Sequence, residues 1–532
     1  MGKSLAYFTR QIYSALQNIQ EVNCKPFLTS EVEPVSSLEE FSMATKTLTH
    51  YWNGSAHTGS GTPIDRLSPS TGELITKIPD ATPADVDDVV AAARNAFDKG
   101  PWRHMSGMER AKFINALADE IEANIDELAI YEAQETGKPL SLARGDVGGS
   151  ANLFRYAASH AMQMHGDVHT NLGRGFTGLV TRVPVGVTAL ITPWNFPLLL
   201  LAQKLPFALA AGCTAILKPS ELTSTTTVMV ATMAKKVGIP DGVVNVILGY
   251  GNTAGQKLIE HEDVDFISFT GSTRTGRAVI EASKLHLKRT SMELGGKSAN
   301  IVFADAVIDD AIDGVMFGVL FNNGECCVSG SRLLVEERIA DEFVAKLAKR
   351  MSEVQVGDPL AGGSQIGPMI HSGHLDAVLG HITKATSQGA VIATGGVQVK
   401  SGDLSKGFFV APTVVDKVTE KHDIFHDEVF GPVLAVTRFT GKEEAIRIAN
   451  ATKYGLAASV WSKNIDTALD MASELHAGTV WINTTIDGSP QLPGGGVKES
   501  GFGREMGQAG FDEFTEVKTI QIRTGARNRY FG

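Results

Sequence analysis

The run Val-Gly-Val-Thr-Ala-Leu-Ile-Thr, VGVTALIT at 185–192, is followed at once by Pro-Trp-Asn-Phe-Pro, PWNFP at 193–197. An unbroken apolar and β-branched run of this length reads as a buried strand. The two prolines that bracket Trp194, Asn195 and Phe196 then end it, because neither a regular helix nor a central strand accommodates them. Three more β-prone runs follow: CTAILK at 213–218, VVNVIL at 243–248 and DFISFT at 265–270. Helix-like segments separate the first three runs. Strands alternating with helices predict a parallel, doubly wound α/β sheet. The alternation restarts near SANIVF at 298–303 and RLLVEE at 332–337, which predicts a second α/β domain.

Upstream the pattern is helical. Thr82 is a good N-cap, Pro83 suits the first helical position, and Val86, Val89, Val90, Ala93 and Phe97 mark one apolar face. A second helical stretch is expected over 107–135. At 532 residues the chain exceeds what one hydrophobic core usually supports, so two or more domains are expected. A net charge of −11 argues against nucleic acid and anionic membrane as partners. No apolar run reaches the roughly 18–20 residues of a membrane span. Four cysteines, Cys24, Cys213, Cys326 and Cys327, have no regular spacing, which favours a reducing, cytoplasmic setting over a disulfide framework. In the first 42 residues Leu5, Phe8, Ile12, Leu16 and Ile19 recur at helical spacing, but the continuous apolar core of a secretory signal is missing. Residues 1–42 read as a poorly ordered extension, with an organellar transit segment as the alternative.

Open α/β sheets bind ligands beyond the carboxyl ends of their strands, so residues just after each run carry weight. Asn195 offers an amide that can donate to a developing oxyanion, or it only makes a turn. After CTAILK come Lys218 and Glu221, where a carboxylate can grip ribose hydroxyls and repel a 2′-phosphate. After DFISFT comes GSTRTG at 271–276, a turn into a helix start that suits a pyrophosphate. GYGNTAG at 249–255 is a looser glycine cluster, read as turn chemistry. MELGGKSAN at 292–300 places Glu293 before two glycines at an expected flexible inter-domain junction, as a general base or as a solvated carboxylate. FNNGECCVSGSR at 321–332 sets two cysteines side by side: two buried small residues, half of a metal site, or a nucleophile and its neighbour.

PWNFP, LKPSE, FTGSTRTG, MELGGK, GECCVSGSR, EVFGPV and VKESGFGREMG occur in this order, and order and spacing resemble the aldehyde dehydrogenase superfamily from about Met43 onward. The resemblance implies a Rossmann-like dinucleotide-binding domain (43–162 and 185–296), a catalytic α/β domain (297–500) and a small β oligomerisation arm (163–184 and 508–532). It implies that Cys327 is the nucleophile, Cys326 a pocket neighbour, Glu293 the base and Asn195 an oxyanion donor. Lys204 and Glu505 stand at the family's proton-relay positions. It places Trp194, Lys218, Glu221, Gly251, Gly271, Ser272, Glu428 and Phe430 on the cofactor, with NAD favoured over NADP by Glu221. No metal is implied, since no His or further Cys lies near the pair at ligand spacing. The implied reaction is oxidation of an aldehyde to its acid through a thiohemiacetal and a thioester, in a homodimer or homotetramer. A coenzyme A-acylating enzyme and a non-catalytic binding protein on the same fold are the alternatives, and both are disfavoured because Cys327 and Glu293 are present together.

The departures from the family pattern cluster at the substrate pocket, where Phe196, Cys326 and Val328 remain apolar. Gln203 stands where relatives acting on small apolar or betaine-type aldehydes usually carry Trp, and Gly488 and Gly494 replace aromatics in NTTIDGSPQLPGGG at 483–496. The expectation is a wider, more polar pocket for a bulky or polar aldehyde. It is not an aromatic box for a trimethylammonium group. Glu325 replaces a commoner Gln, and its orientation decides whether it acts on Cys327.

Overall fold

The computed structural model describes residues 45–526 and 531; the expectations for residues 1–42 and Cys24, and the end of the arm at 527–530 and 532, lie outside the described residues. Helix α1 (Pro83–Lys99) starts at a capping box: Thr82 accepts the Asp85 N–H while the Asp85 carboxylate accepts the Thr82 N–H. Its predicted apolar face is buried throughout. The stretch 107–135, expected as one helix, is two: α2 (Gly107–Ala123) and α3 (Ile125–Thr136). Asn124 between them has φ −113° and ψ 24°, and its amide donates back to the Glu120 carbonyl at 2.7 Å. A short polar side chain that bonds its own backbone competes with the helix and breaks it.

Five parallel strands form the centre of the first sheet: β1 (Val187–Ile191), β2 (Thr214–Lys218), β3 (Val244–Val246), β4 (Phe266–Thr270) and β5 (Arg289–Glu293). Their order is β5-β4-β1-β2-β3, with antiparallel strands added at both edges. Every residue of β2 and β4 is buried, as a sheet covered on both faces requires. The chain leaves β1 in one direction for β2 and β3, and later in the other for β4 and β5. The crevice between the ends of β1 and β4 is therefore a topological switch point, where open α/β sheets bind their ligands.

A second sheet is built on β6 (Ala299–Val302), β7 (Arg332–Glu336), β8 (Val433–Phe439), β9 (Ala457–Trp461) and β10 (Thr479–Ile482), in the order β8-β7-β6-β9-β10 and all parallel. Two further strands, Thr413–Asp416 and Val391–Thr394, extend it beyond β8. Only residues 294–298 separate β5 from β6, so the carboxyl end of the first sheet meets the amino end of the second. A third, antiparallel sheet pairs Thr515–Arg523 with Phe176–Pro184, and that strand with Asp167–His169.

Candidate active site

Two turns meet at the switch point. Beyond β1, Trp194 and Asn195 lie in the irregular turn the prolines predict, and the Asn195 amide is buried. Beyond β4, Gly271 donates its N–H to the Glu293 carbonyl at 3.0 Å, and Ser272 caps α4 (Thr273–Ser283) by accepting the Thr275 N–H. Lys218 is buried at the end of β2, and its ammonium donates to the carbonyls of Gly249 (2.7 Å) and Pro219 (3.0 Å). Glu221 is half-exposed beyond it. The cluster at 249–255, read as a turn, is a single π-helical turn, Gly251–Gly255, entering the helix Gln256–Glu260. A Cβ on Gly251 would meet no atom within 4 Å.

Cys327 comes from the opposite side, and here the carboxyl-end rule gives the wrong end: it precedes β7 and sits at the amino end of the second sheet. The turn before it carries three consecutive left-handed residues, Asn322 (φ 53°), Asn323 (φ 61°) and Gly324 (φ 77°). Asn and Gly tolerate this region best, so FNNG was a legible turn signal that the sequence reading did not use. Asn322 then ties the two turns together, donating to the carbonyls of Asn195 (3.0 Å) and Glu325 (2.9 Å). Asn195 donates one amide hydrogen to the Glu325 carbonyl at 2.9 Å. Its second amide hydrogen remains for a ligand.

Glu293 is the last residue of β5, fixed in register against Thr270 on one side and Gly501 on the other. The expected flexible junction is thus corrected. The carboxyl stands on a strand end, and the two glycines after it are buried. A Cβ on Gly296 would stand 2.6 Å from the Cys327 carbonyl, and one on Gly295 would overlap the Glu428 carboxyl, so both glycines serve close approach. Glu293 Oε1 is buried without a hydrogen-bond partner. Burial, then the charge of Glu505, pushes its carboxyl well above the usual carboxylate range, and Cys327 lies near enough to add to the effect. The Cys327 thiol is itself pushed up, by the adjacent Cys326 thiol and by burial.

Behind Glu293, Lys204 is fully buried and pairs with the Glu505 carboxyl while donating to Ser268 Oγ at 2.8 Å. Thr270 donates to Glu505 at 3.3 Å. Gly494 exchanges both backbone hydrogen bonds with Glu505, at 2.8 and 2.9 Å. Its role in the structure is to fix that carboxylate, which the expected pocket-opening role did not anticipate. Gly488 is exposed, and a Cβ there would meet nothing within 4 Å.

Phe196, Leu200 and Cys326 form a small buried apolar cluster, with Leu199, Phe321 and Val328 packed against it. The Phe196 and Phe321 rings stack at 5.7 Å between centroids. Residues 199, 200 and 321, which the sequence patterns did not single out, thus add apolar contacts around Phe196 and Cys326. Gln203, half-buried, stands one helical turn after Leu199 and so shares its face. Lys138, fully buried and paired with Asp146 at 2.6 Å, places its ammonium 4.2 Å from the Phe196 ring centre. Glu428 accepts the Gly296 N–H at 3.0 Å, and burial raises its carboxyl to about 7. Phe430 (φ 58°) meets the Trp194 ring edge-on at 5.4 Å. Glu325, whose orientation the sequence left open, turns away from Cys327: its buried carboxyl accepts the Ile370 N–H at 2.9 Å.

The model of the Aldehyde dehydrogenase family matches residues 56–520. An aldehyde dehydrogenase of Davidiella tassiana is 44% identical over 466 residues, 87% of this chain and 93% of that protein. Betaine aldehyde dehydrogenase of Bacillus subtilis is 41% identical over 458 residues, 86% and 94% of the two chains. Among solved structures, an NAD-dependent aldehyde dehydrogenase from Sinorhizobium meliloti superposes with a TM-score of 0.90 at 45% identity, covering 92% of this chain and 97% of the other. Betaine aldehyde dehydrogenase from Staphylococcus aureus in complex with NAD+ superposes with a TM-score of 0.89 at 36% identity, covering 91% and 96%. Likeness of that extent in both sequence and backbone makes this chain a member of the aldehyde dehydrogenase family.

Proposed function

We propose that the protein oxidises an aldehyde to its carboxylic acid with NAD, through covalent intermediates on Cys327. The observation that carries this reading is Glu293 Oε1, buried without a hydrogen-bond partner on a carboxyl near enough to Cys327 to feel its charge. The cleft fits a dinucleotide. The N-terminus of α4, entered through Gly271 and Ser272, places its first-turn N–H groups and the positive helix end towards a pyrophosphate, and Gly251 leaves room beside it. Lys218 and Glu221 stand where a ribose is gripped, Glu221 disfavours the 2′-phosphate of NADP, and Trp194, Glu428 and Phe430 line the far end. Bound there, NAD supplies a hydride acceptor.

The Cys327 thiol is raised and so rests protonated; as its sulfur bonds to the aldehyde carbon and the carbonyl electron pair moves to oxygen, the thiol proton passes to the Glu293 carboxylate and on to solvent before hydrolysis. The new oxyanion meets the free amide hydrogen of Asn195 and the Cys327 N–H. Once the hydride has left, the carbon is a thioester on Cys327. Glu293, raised above the usual carboxylate range by burial and Glu505, takes a proton from water once ionised, and that water hydrolyses the thioester. Glu505, held by Lys204, Thr270 and Gly494, stands behind Glu293 to pass that proton on.

The pocket suits an aldehyde with an apolar body on the Phe196–Phe321 wall and a hydrogen-bonding group towards Gln203. The apolar side chains exposed on the third sheet, Val517, Ile520, Ile522 and Val168, fit burial in a homo-oligomer. The free thiols among the described residues, Cys213, Cys326 and Cys327, suit a reducing compartment such as the cytoplasm. The test is NADH production at 340 nm with NAD and NADP, across short aliphatic, aromatic, hydroxylated, amino and acidic aldehydes. Turnover with aromatic or hydroxylated substrates, lost in Cys327→Ser and Glu293→Gln, is expected. Turnover that survives in Cys327→Ser refutes the mechanism, and a preference for acetaldehyde refutes the substrate class.

A further inference from the structure

His374 takes no part in the chemistry above, yet its ring meets the Trp194–Phe430 end of the cleft and lies within 3.6 Å of Glu325 in the nucleophile turn. It lies near the start of α5 (Ser372–Ser387). Its Nε2 is 2.7 Å from the Phe430 carbonyl. A carbonyl only accepts, so that nitrogen carries the hydrogen and the tautomer is set. Its ring meets Trp194 edge-on at 5.7 Å and Phe430 at 6.1 Å, while Trp194 and Phe430 meet each other at 5.4 Å. Three rings thus close a triangle.

Phe430 needs such a hold. Its φ of 58° is left-handed, a region that strains a bulky L-residue. The turn it belongs to is clamped from two sides. A Cβ on Gly431 would stand 2.9 Å from Val378, one helical turn beyond His374 on the same face of α5. On the other side Gly324 packs so tightly on Gly431 and Pro432 that any Cβ would overlap their backbone.

The residue after Gly324 is Glu325. Its carboxyl is buried, accepts the N–H of Ile370 just ahead of α5, and lies 3.6 Å from His374 Nε2. It therefore fixes the entry of the helix that delivers His374. We propose that Glu325 and His374 are a positioning pair, which carries the geometry of the nucleophile turn to the Trp194–Phe430 end of the cofactor cleft and so sets affinity for the dinucleotide. Neither residue touches reacting atoms. This inference rests on the NAD reading above.

The test separates cofactor binding from thiol chemistry. NAD affinity is measured by titration calorimetry and KM for NAD by steady-state kinetics. Hydrolysis of p-nitrophenyl acetate, which requires only a nucleophilic thiol and a base, is followed without NAD. His374→Ala is expected to raise both Kd and KM for NAD about tenfold, to lower kcat at saturating NAD less than threefold, and to leave ester hydrolysis within twofold. His374→Gln, whose amide can still donate to the Phe430 carbonyl, restores Kd to within threefold. Glu325→Ala weakens NAD as His374→Ala does, and Glu325→Gln, which still accepts from Ile370, does not. An unchanged Kd in His374→Ala or Glu325→Ala overturns the proposal. So does ester hydrolysis falling in parallel with NAD affinity, which marks a general structural defect. A wild-type protein that binds NAD but neither makes NADH nor cleaves the ester refutes the proposed reaction alone, and the variants' Kd values still decide this pair.

Discussion

At Glu293, burial and the neighbouring Glu505 both favour the neutral acid, so the carboxyl loses its proton at a pH above the ordinary carboxylate range. Below that raised value it cannot accept a proton from water. The acid limb of the kcat profile is therefore expected well above pH 4.5, with activity rising as the carboxyl ionises. Glu293→Gln should remove the limb and lower kcat by about 10²–10⁴-fold, leaving a stoichiometric burst of NADH that stalls at the thioester. A limb at the ordinary carboxylate position, or full turnover in the variant, contradicts the assignment. The same carboxyl makes Gly495 sensitive. Gly495 has φ 147°, and a Cβ there would stand 2.7 Å from Glu293 Oε1. Gly495→Ala is expected to displace the base and lower kcat by about 10²-fold, as a displacement of about 1 Å does elsewhere. KM for NAD should change little.

Between elements, a fully buried carboxyl in α3 couples folding to the active-site turn. Glu132 accepts the N–H of Leu198, three residues after Asn195, and the hydroxyl of Thr226. Burial raises it from 4.5 to about 7. A carboxyl raised on folding contributes stability that is complete below 4.5 and is lost as pH rises through about 7. Glu132→Gln keeps an acceptor oxygen and removes the titration. The fall in the unfolding midpoint between pH 5.5 and pH 8.5, scanned at one rate, should be smaller in the variant than in the wild type. Helix α1 gives a simpler case. Its capping box was legible as Thr-Pro-Ala-Asp, and Thr82→Ala should cost about 1 kcal/mol without affecting NADH production. The break at Asn124 was not legible, because Asn is tolerated inside helices and only its bond to Glu120 shows that this one ends the helix.

Across the whole molecule, the third sheet exposes Val517, Ile520 and Ile522 on a strand of nine residues, Thr515–Arg523. Ile520 and Ile522 share one face of that strand and Val517 lies on the other, and apolar side chains left uncovered on a sheet favour burial against another copy. Ile520→Lys with Ile522→Lys is expected to shift the sedimentation coefficient to that of a monomer. No shift in the pair of substitutions places any assembly elsewhere.

Sequence alone determined the alternating strands, the helix caps and the ordered motifs, because these depend on local periodicity and on residue types that sit close together in the chain. It therefore gave the α/β class and the family resemblance, and it named Cys327 and Glu293 as candidates. Tertiary structure decided what depends on sequence-distant segments meeting. It set Cys327 at the amino end of the second sheet, turned Glu325 away from the thiol, and joined Gly494 to Glu505. It also built an apolar wall from Leu199, Leu200 and Phe321 that no spacing reveals, and brought His374 to Phe430 across 56 residues. Side-chain direction and long-range burial are set by packing, which a linear pattern does not encode.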